Sequence, residues 1–244
     1  TCAFAVGAAT SVSTANAAAA IARIFMWPSL LREDLNRQTV PHGWVLTMAH
    51  MTELDLRCYF VTGAGTPEHI VETARAAAQG GAGIIQVRSK PIRARDLDEL
   101  SLSVVTAVHE VNPDTHVLID DRVDVALALA PHGVAGVHIG QDDLNPRIAR
   151  ELLGPDAVIG LTTGTLELVQ AANDYADVID YIGAGPFRDT PTKDSGRTPL
   201  GLEGYPALVS AAEMPIVAIG DVTVDDAEAL ARTGVDGVAI VRGI

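Results

Sequence analysis

From Cys58 onward the chain repeats one unit: a short aliphatic run, then an amphipathic stretch, at the spacing of a β-strand and the helix that returns from it. Eight such runs are expected as strands, over 58–62, 83–88, 116–120, 136–139, 158–161, 181–184, 216–219 and 237–241. Helices are expected between them, over 67–79, 94–111, 123–130, 146–153, 166–175, 205–212 and 224–233. Gly80 and Gly81 stop the first helix, as glycine does past a helix C-terminus. Eight strands joined by helices imply a parallel sheet closed on itself, an α/β chain of the (β/α)8 TIM-barrel class. An open doubly wound sheet is the alternative. It would carry a glycine fingerprint after its first strand, and Thr62-Gly63-Ala64-Gly65 lacks the third glycine at the right spacing.

The 244 residues suit one such barrel, and 48% hydrophobic with only 4% aromatic residues means an aliphatic core, as strands buried on both faces require. Residues 1–50 show no strand pattern, and the expected organisation is a poorly ordered or partly helical extension over 1–50 followed by a catalytic barrel over 51–244. The chain opens on Thr1, and Met48 or Met51 would suit as a natural start. It ends at Ile244, directly past the eighth strand, so the last helix is expected to be missing.

The formal net charge is −14, and all of it lies after residue 57, because Arg23, Arg32, Arg37 and Arg57 balance Glu33, Asp34, Glu53 and Asp55. So acidic a surface argues against nucleic acid and anionic membrane as partners. Any anion site must be built locally, from a few cations, with or without a metal. Cys2 and Cys58 offer no disulfide framework and no zinc spacing, and a reducing cytoplasm is the expected compartment. No stretch is long and apolar enough to span a bilayer. Small-molecule substrates are the expected partners, and a homo-oligomer is compatible with the sequence.

Reactive groups in such barrels sit at the C-terminal ends of the strands. The second strand ends Gln86-Val87-Arg88-Ser89-Lys90, and alternation puts Gln86, Arg88 and Lys90 on one face. An amide and two cations suit a diphosphate, with arginine binding as a fork and lysine as a point charge; a solvated strand end is the plainer reading. The third strand ends Asp120-Asp121-Arg122, and the loop after the fourth reads Gly140-Gln141-Asp142-Asp143. Carboxylates from neighbouring strands beside a phosphate describe a Mg²⁺ site; capping of the following helices is the plainer reading, and it suits Asp120 or Asp142 alone better than Asp121 and Asp143 together. The loop 185–193 after the sixth strand carries Thr190, Thr192 and Lys193 on a Pro-stiffened segment, and reads as the far side of a phosphate clamp. Gly220 and Arg242-Gly243 end the last two strands, where barrels often hold a phosphomonoester by backbone N–H groups. His138, within the fourth strand, reads more readily as structural than as catalytic.

In this order and spacing the segments resemble the thiamine phosphate synthase family, from Cys58 to Ile244. The residues that carry the likeness are Gln86-x-Arg88-x-Lys90, Asp121-Arg122, Gly140-Gln-x-Asp143, Gly185-Pro…Thr190-x-Thr192-Lys193 and Gly220. The resemblance implies a transferase of thiamine biosynthesis that joins hydroxymethylpyrimidine diphosphate to thiazole phosphate with loss of pyrophosphate. It implies that Gln86, Arg88 and Lys90 hold the diphosphate and that Asp121 and Asp143 bind a Mg²⁺ cofactor. Arg88, Lys90 and Lys193 would serve as the catalytic cations, Thr190 and Thr192 would contact substrate, and backbone at Gly220 and near Val241 and Arg242 would hold the thiazole phosphate. Asp120 and Thr162 stand where the family commonly has Asn and Ser, and both are carried as substrate-binding positions. An ionised Asp120 would repel the diphosphate. Gly164 stands where the family often has His, Asp189 where Pro is usual, Asp221 where Gly is usual, and Arg242 where Ser is frequent. The rivals are a thiazole tautomerase on the same barrel and a non-catalytic barrel that binds thiamine intermediates.

Overall fold

The computed structural model describes residues 54–189 and 196–242. The expectations placed on residues 1–50, Thr190, Thr192, Lys193 and the chain's last two residues lie outside these residues. Eight parallel strands close a barrel in chain order: β1 (Cys58–Val61), β2 (Ile84–Val87), β3 (His116–Asp120), β4 (Val134–Ile139), β5 (Val158–Thr163), β6 (Tyr181–Ala184), β7 (Ile216–Ala218) and β8 (Gly237–Ile240). The outer layer is α1 (Pro67–Gln79), α2 (Ala94–His109), α3 (Val123–Leu129), α4 (Pro146–Leu153), α5 (Leu166–Ala172), α6 (Gly201–Ala211) and α7 (Ala227–Ala231). Among the described residues no helix is long and apolar enough to cross a membrane.

The period of two along each strand sorts side chains into two cores. Cys58, Phe60, Ile85, Val87, Val117, Ile119, Val137 and Ile139 face outward and pack with the helices. Tyr59, Val61, Ile84, Leu118, Val158, Tyr181, Val217 and Ala239 fill the barrel itself. The inner core is narrow, so glycine makes room for the large rings. A Cβ on Gly160 would stand 2.2 Å from Tyr181 Cζ and 2.5 Å from His138 Nδ1, and one on Gly183 would stand 3.1 Å from His138 Cε1.

Helix starts follow local capping. Thr66, Asn145 and Thr165 accept from His69, Arg147 and Leu168 backbone N–H groups, and prolines open α1 and α4. Several boundaries shift from the expected ones, and three of the shifts have a visible cause or consequence. β5 runs on to Thr163, which places Thr162 inside the strand and on its inward face. The helix expected over 166–175 turns from α to 3-10 at Asn173, whose side chain donates to Ala211 O and accepts from Glu213 N, docking that turn on α6. α6 begins at Gly201 rather than 205, because Leu200 N and Gly201 N donate to Pro186 O and Phe187 O and anchor the helix start to the loop after β6.

Candidate active site

The inward residues at the C-terminal ends of the strands change from aliphatic to polar, and they bound a cavity. Gln86, Arg88, Asp120, His138 and Thr162 form one wall. Gly185, Ile219, Gly220, Val222, Val241 and Arg242 form the other. Arg88 and Asp120 also line an adjoining cleft with Lys90, Asp121 and Arg122, so the two spaces share an edge.

Thr62 holds the end of β2 in place: its hydroxyl donates to Arg88 O and accepts from Arg88 N, both at 2.8 Å. Gln86 is only 4% exposed, and its carboxamide is engaged at both ends, Oε1 accepting from Tyr59 Oη at 2.8 Å and Nε2 donating to Asp120 Oδ1. Asp120, 8% exposed, also faces Lys90 Nζ at 2.8 Å and Arg88 Nε at 3.6 Å. Burial pushes its carboxyl above the ordinary value, Asp121 adds to that, and Lys90 and Arg88 oppose it. For Lys90, burial pulls the ammonium down, and the bonds to Asp120 and Asp121 outweigh it and raise it. The strand-two cations therefore share their field with two carboxylates, one of them buried.

Asp121 lies at φ 59°, a left-handed conformation that aspartate tolerates better than most residues. Its N–H donates to His138 O at 2.8 Å, and its carboxylate pairs with Lys90. Asp143 closes the turn after β4, with Oδ2 accepting from Gly140 N at 2.7 Å. Partial burial raises the Asp143 carboxyl, the Gly140 N–H counters this, and the charge and contact of Asp121 raise it further. The two carboxylates thus face one another beside Lys90. The capping reading fails for both, because α3 has no side-chain cap and α4 is capped by Asn145.

The opposite rim is built on β7, β8 and the loop after β6. Gly220 sits at φ 100°, and a Cβ there would stand 2.6 Å from Pro186 Cα, so only glycine fits. Asp221, where glycine is usual, keeps a positive φ of 56°, and its carboxylate pairs with Arg242. These two departures from the family pattern are therefore in contact. Arg188 stacks over the Phe187 ring at 4.3 Å, and its guanidinium pairs with Asp226, whose carboxyl is held down at about 2.

Sequence reasoning did not find Arg197 in the cavity wall, where its Nη1 donates to Thr163 O at 2.8 Å. Its only local signal is a cation four positions after Lys193, set among small residues and proline. Gly164, at φ 146°, has no room for a side chain: a Cβ would lie 2.0 Å from Gly185 O and 3.3 Å from Arg197 Nη1. The absent imidazole therefore matches a wall closed by backbone and Arg197. His138, 8% exposed, is hydrogen-bonded on both ring nitrogens, at 2.9 Å to Tyr181 Oη and 2.9 Å to Thr162 Oγ1. Cys58 is free and buried, with its thiol pushed up to about 12 by burial, then Asp55.

The family described as thiamine monophosphate synthase matches residues 58–244. The chain is similar to the thiamine-phosphate synthase of Corynebacterium jeikeium (strain K411), 71% identical over 192 residues that cover 78% of this chain and 88% of that one. It is 65% identical to that of Corynebacterium efficiens over 192 residues, with coverage of 78% and 88%. Among solved structures it resembles thiamine phosphate pyrophosphorylase from Pyrococcus furiosus, with TM-score 0.65 and 33% identity, over 77% of this chain and 86% of that one. From Cys58 onward, the chain belongs to the thiamine monophosphate synthase family.

Proposed function

We propose that the chain condenses 4-amino-2-methyl-5-hydroxymethylpyrimidine diphosphate with 4-methyl-5-(2-phosphooxyethyl)thiazole, giving thiamine phosphate and pyrophosphate. The observation that carries the reading is the convergence of Arg88 and Lys90 with Asp121 and Asp143 at one edge of the cavity. The electron-rich pyrimidine can lose diphosphate to leave a stabilised benzylic-type cation, which the thiazole nitrogen attacks. Neither a strong base nor a covalent nucleophile is needed. The site has to stabilise charge on the departing group and align two rings.

Arg88 and Lys90 meet the diphosphate, and Gln86 keeps one N–H for it beyond the bond to Asp120. Lys193, with Thr190 and Thr192, belongs to the same clamp by its place in the family motif. Asp121 and Asp143 fit Mg²⁺: both are hard oxygen donors, they lie together, and Asp121 lines the cleft of Lys90. Among the described residues no group of three or more His, Cys, Asp or Glu forms a closed cage. That suits Mg²⁺, which usually keeps waters and takes one or two carboxylates plus substrate phosphate oxygens. The chemistry a cation supplies there is neutralisation of diphosphate charge. Backbone at Gly220 and near Val241, with the Arg242 guanidinium, takes the thiazole phosphate, and Thr162 and Asp120 border the pyrimidine. A cytoplasmic location and a barrel domain over 51–244 complete the reading.

A tautomerase would have no diphosphate to neutralise and no use for this set of cations and acids. The test is incubation with both substrates and Mg²⁺, with pyrophosphate assayed. Release that a chelator abolishes is expected. Tight ligand binding without pyrophosphate would instead support a non-catalytic barrel.

A further inference from the structure

One line of side-chain hydrogen bonds crosses the inside of the barrel. It runs Thr162, His138, Tyr181, Tyr59, Gln86, Asp120, drawing on strands β5, β4, β6, β1, β2 and β3. The Tyr181–Tyr59 and Tyr181–His138 contacts could in principle run either way. One end settles them. Asp120 Oδ1 faces the Gln86 Nε2 side, so Gln86 Oε1 is the atom that meets Tyr59. A carbonyl oxygen only accepts, so Tyr59 gives it the one hydroxyl proton it has. Tyr59 Oη can then only accept from Tyr181, at 2.8 Å. Tyr181, its own proton used, can only accept from His138 Nδ1, at 2.9 Å. Both tyrosines are fully buried, and burial keeps their hydroxyls protonated.

We propose that this directed line makes His138 a positioning residue. It holds the ring as the Nδ1–H tautomer with a bare Nε2. Thr162 then spends its proton on Nε2 at 2.9 Å and turns its lone pairs toward the cavity it lines. That wall accepts an N–H group of a ligand and rejects a carbonyl in the same place. The direction and the tautomer stand on geometry alone. Naming the ligand group as the pyrimidine's exocyclic amine rests on the function proposed above.

The test separates the two. In the ¹⁵N-histidine-labelled, ligand-free protein, the His138 signals are identified by their loss in His138→Asn. Nδ1 should appear as a protonated ring nitrogen and Nε2 as an unprotonated one. Tyr59→Phe leaves Tyr181 without an acceptor and frees its proton for Nδ1, so the population should move toward Nε2–H, from a site that does not touch the histidine. Tyr181→Phe removes the Nδ1–H acceptor and should also weaken the preference; it serves if Tyr59→Phe does not fold. An Nε2–H ring or an imidazolium in the parent protein, or an unchanged tautomer in the folded variants, would overturn the proposal. In kinetics, Thr162→Val should raise KM for the pyrimidine diphosphate about tenfold, the scale of one lost hydrogen bond, with little change for the thiazole, and Thr162→Ser should restore it. Equal KM changes for both substrates would overturn the assignment of the amine. Absence of any turnover in the parent protein would fail the synthase reading, while the nitrogen spectra would still decide the relay.

Discussion

Lys90 Nζ lies 2.8 Å from Asp120 Oδ2, so a cation of the strand-two anion set is already matched by a buried carboxylate. An isolated ionised carboxylate would be costly at that depth, and Lys90, Arg88 and the Gln86 amide offset the cost. Asp120→Asn keeps an oxygen for Gln86 and removes one negative charge from the approach of the diphosphate. KM for the pyrimidine diphosphate should fall about fivefold, in line with about 1 kcal/mol for a partly screened charge contact. A higher KM in the folded variant would mean that Asp120 organises Lys90 more than it repels substrate.

Arg88→Ala and Asp121→Ala each remove one electrostatic group from the leaving-group side. Turnover should drop about a hundredfold or more, the usual scale for losing such a group. Near-normal turnover of either purified variant would count against the diphosphate edge as drawn.

The Asp221–Arg242 pair predicts a different phenotype. Arg242→Ala should raise KM for the thiazole phosphate about tenfold, as for a lost charge-assisted hydrogen bond, and leave the pyrimidine KM unchanged. Asp221→Gly suits the positive φ at that position, so the variant should fold at least as well while releasing the Arg242 guanidinium. Titration with each substrate separately distinguishes this rim from the strand-two edge.

Acid stability should report the Arg188–Asp226 pair. The Asp226 carboxyl stands at about 2 in the folded chain against an ordinary 3.8, chiefly through Arg188. Its contribution is present above the unfolded value and is lost as pH falls from about 4 toward about 2. Asp226→Asn should cost about 1 kcal/mol near neutrality, allowing for solvent around Arg188, and should flatten the stability change across that window. Denaturant unfolding of both proteins at pH 7 and in acid measures it.

Gly160→Ala should destabilise the barrel by about 1–3 kcal/mol, the usual cost of overpacking, because the new methyl meets both the Tyr181 and His138 rings. It should also disturb the polar line between them, which a change in the His138 nitrogen spectrum would detect.

The barrel was legible in the chain because its signals are local. Strand alternation and helix periodicity recur within a few residues, and capping depends on a handful more. That is why α1 and α4 match their expected limits and why Gln86 and Arg88 fall on one wall. Helix ends held by distant groups were less legible: Asn173 docks on α6, and Gly201 is tied to Phe187.

Nothing local links Tyr59 to Tyr181, which are 122 positions apart and meet only because the sheet closes on itself. His138 alone in a strand carries no sign of its two partners, and Arg197 none of the cavity it borders. Asp221 and Arg242 look like two separate departures until adjacent strands put their charges together. Amino-acid order determined the layers, the inward residues and the rim where charge gathers. Closure of the barrel decided which of those groups neutralise one another and which remain turned toward a ligand, because such contacts depend on through-space distance, and chain separation does not encode it.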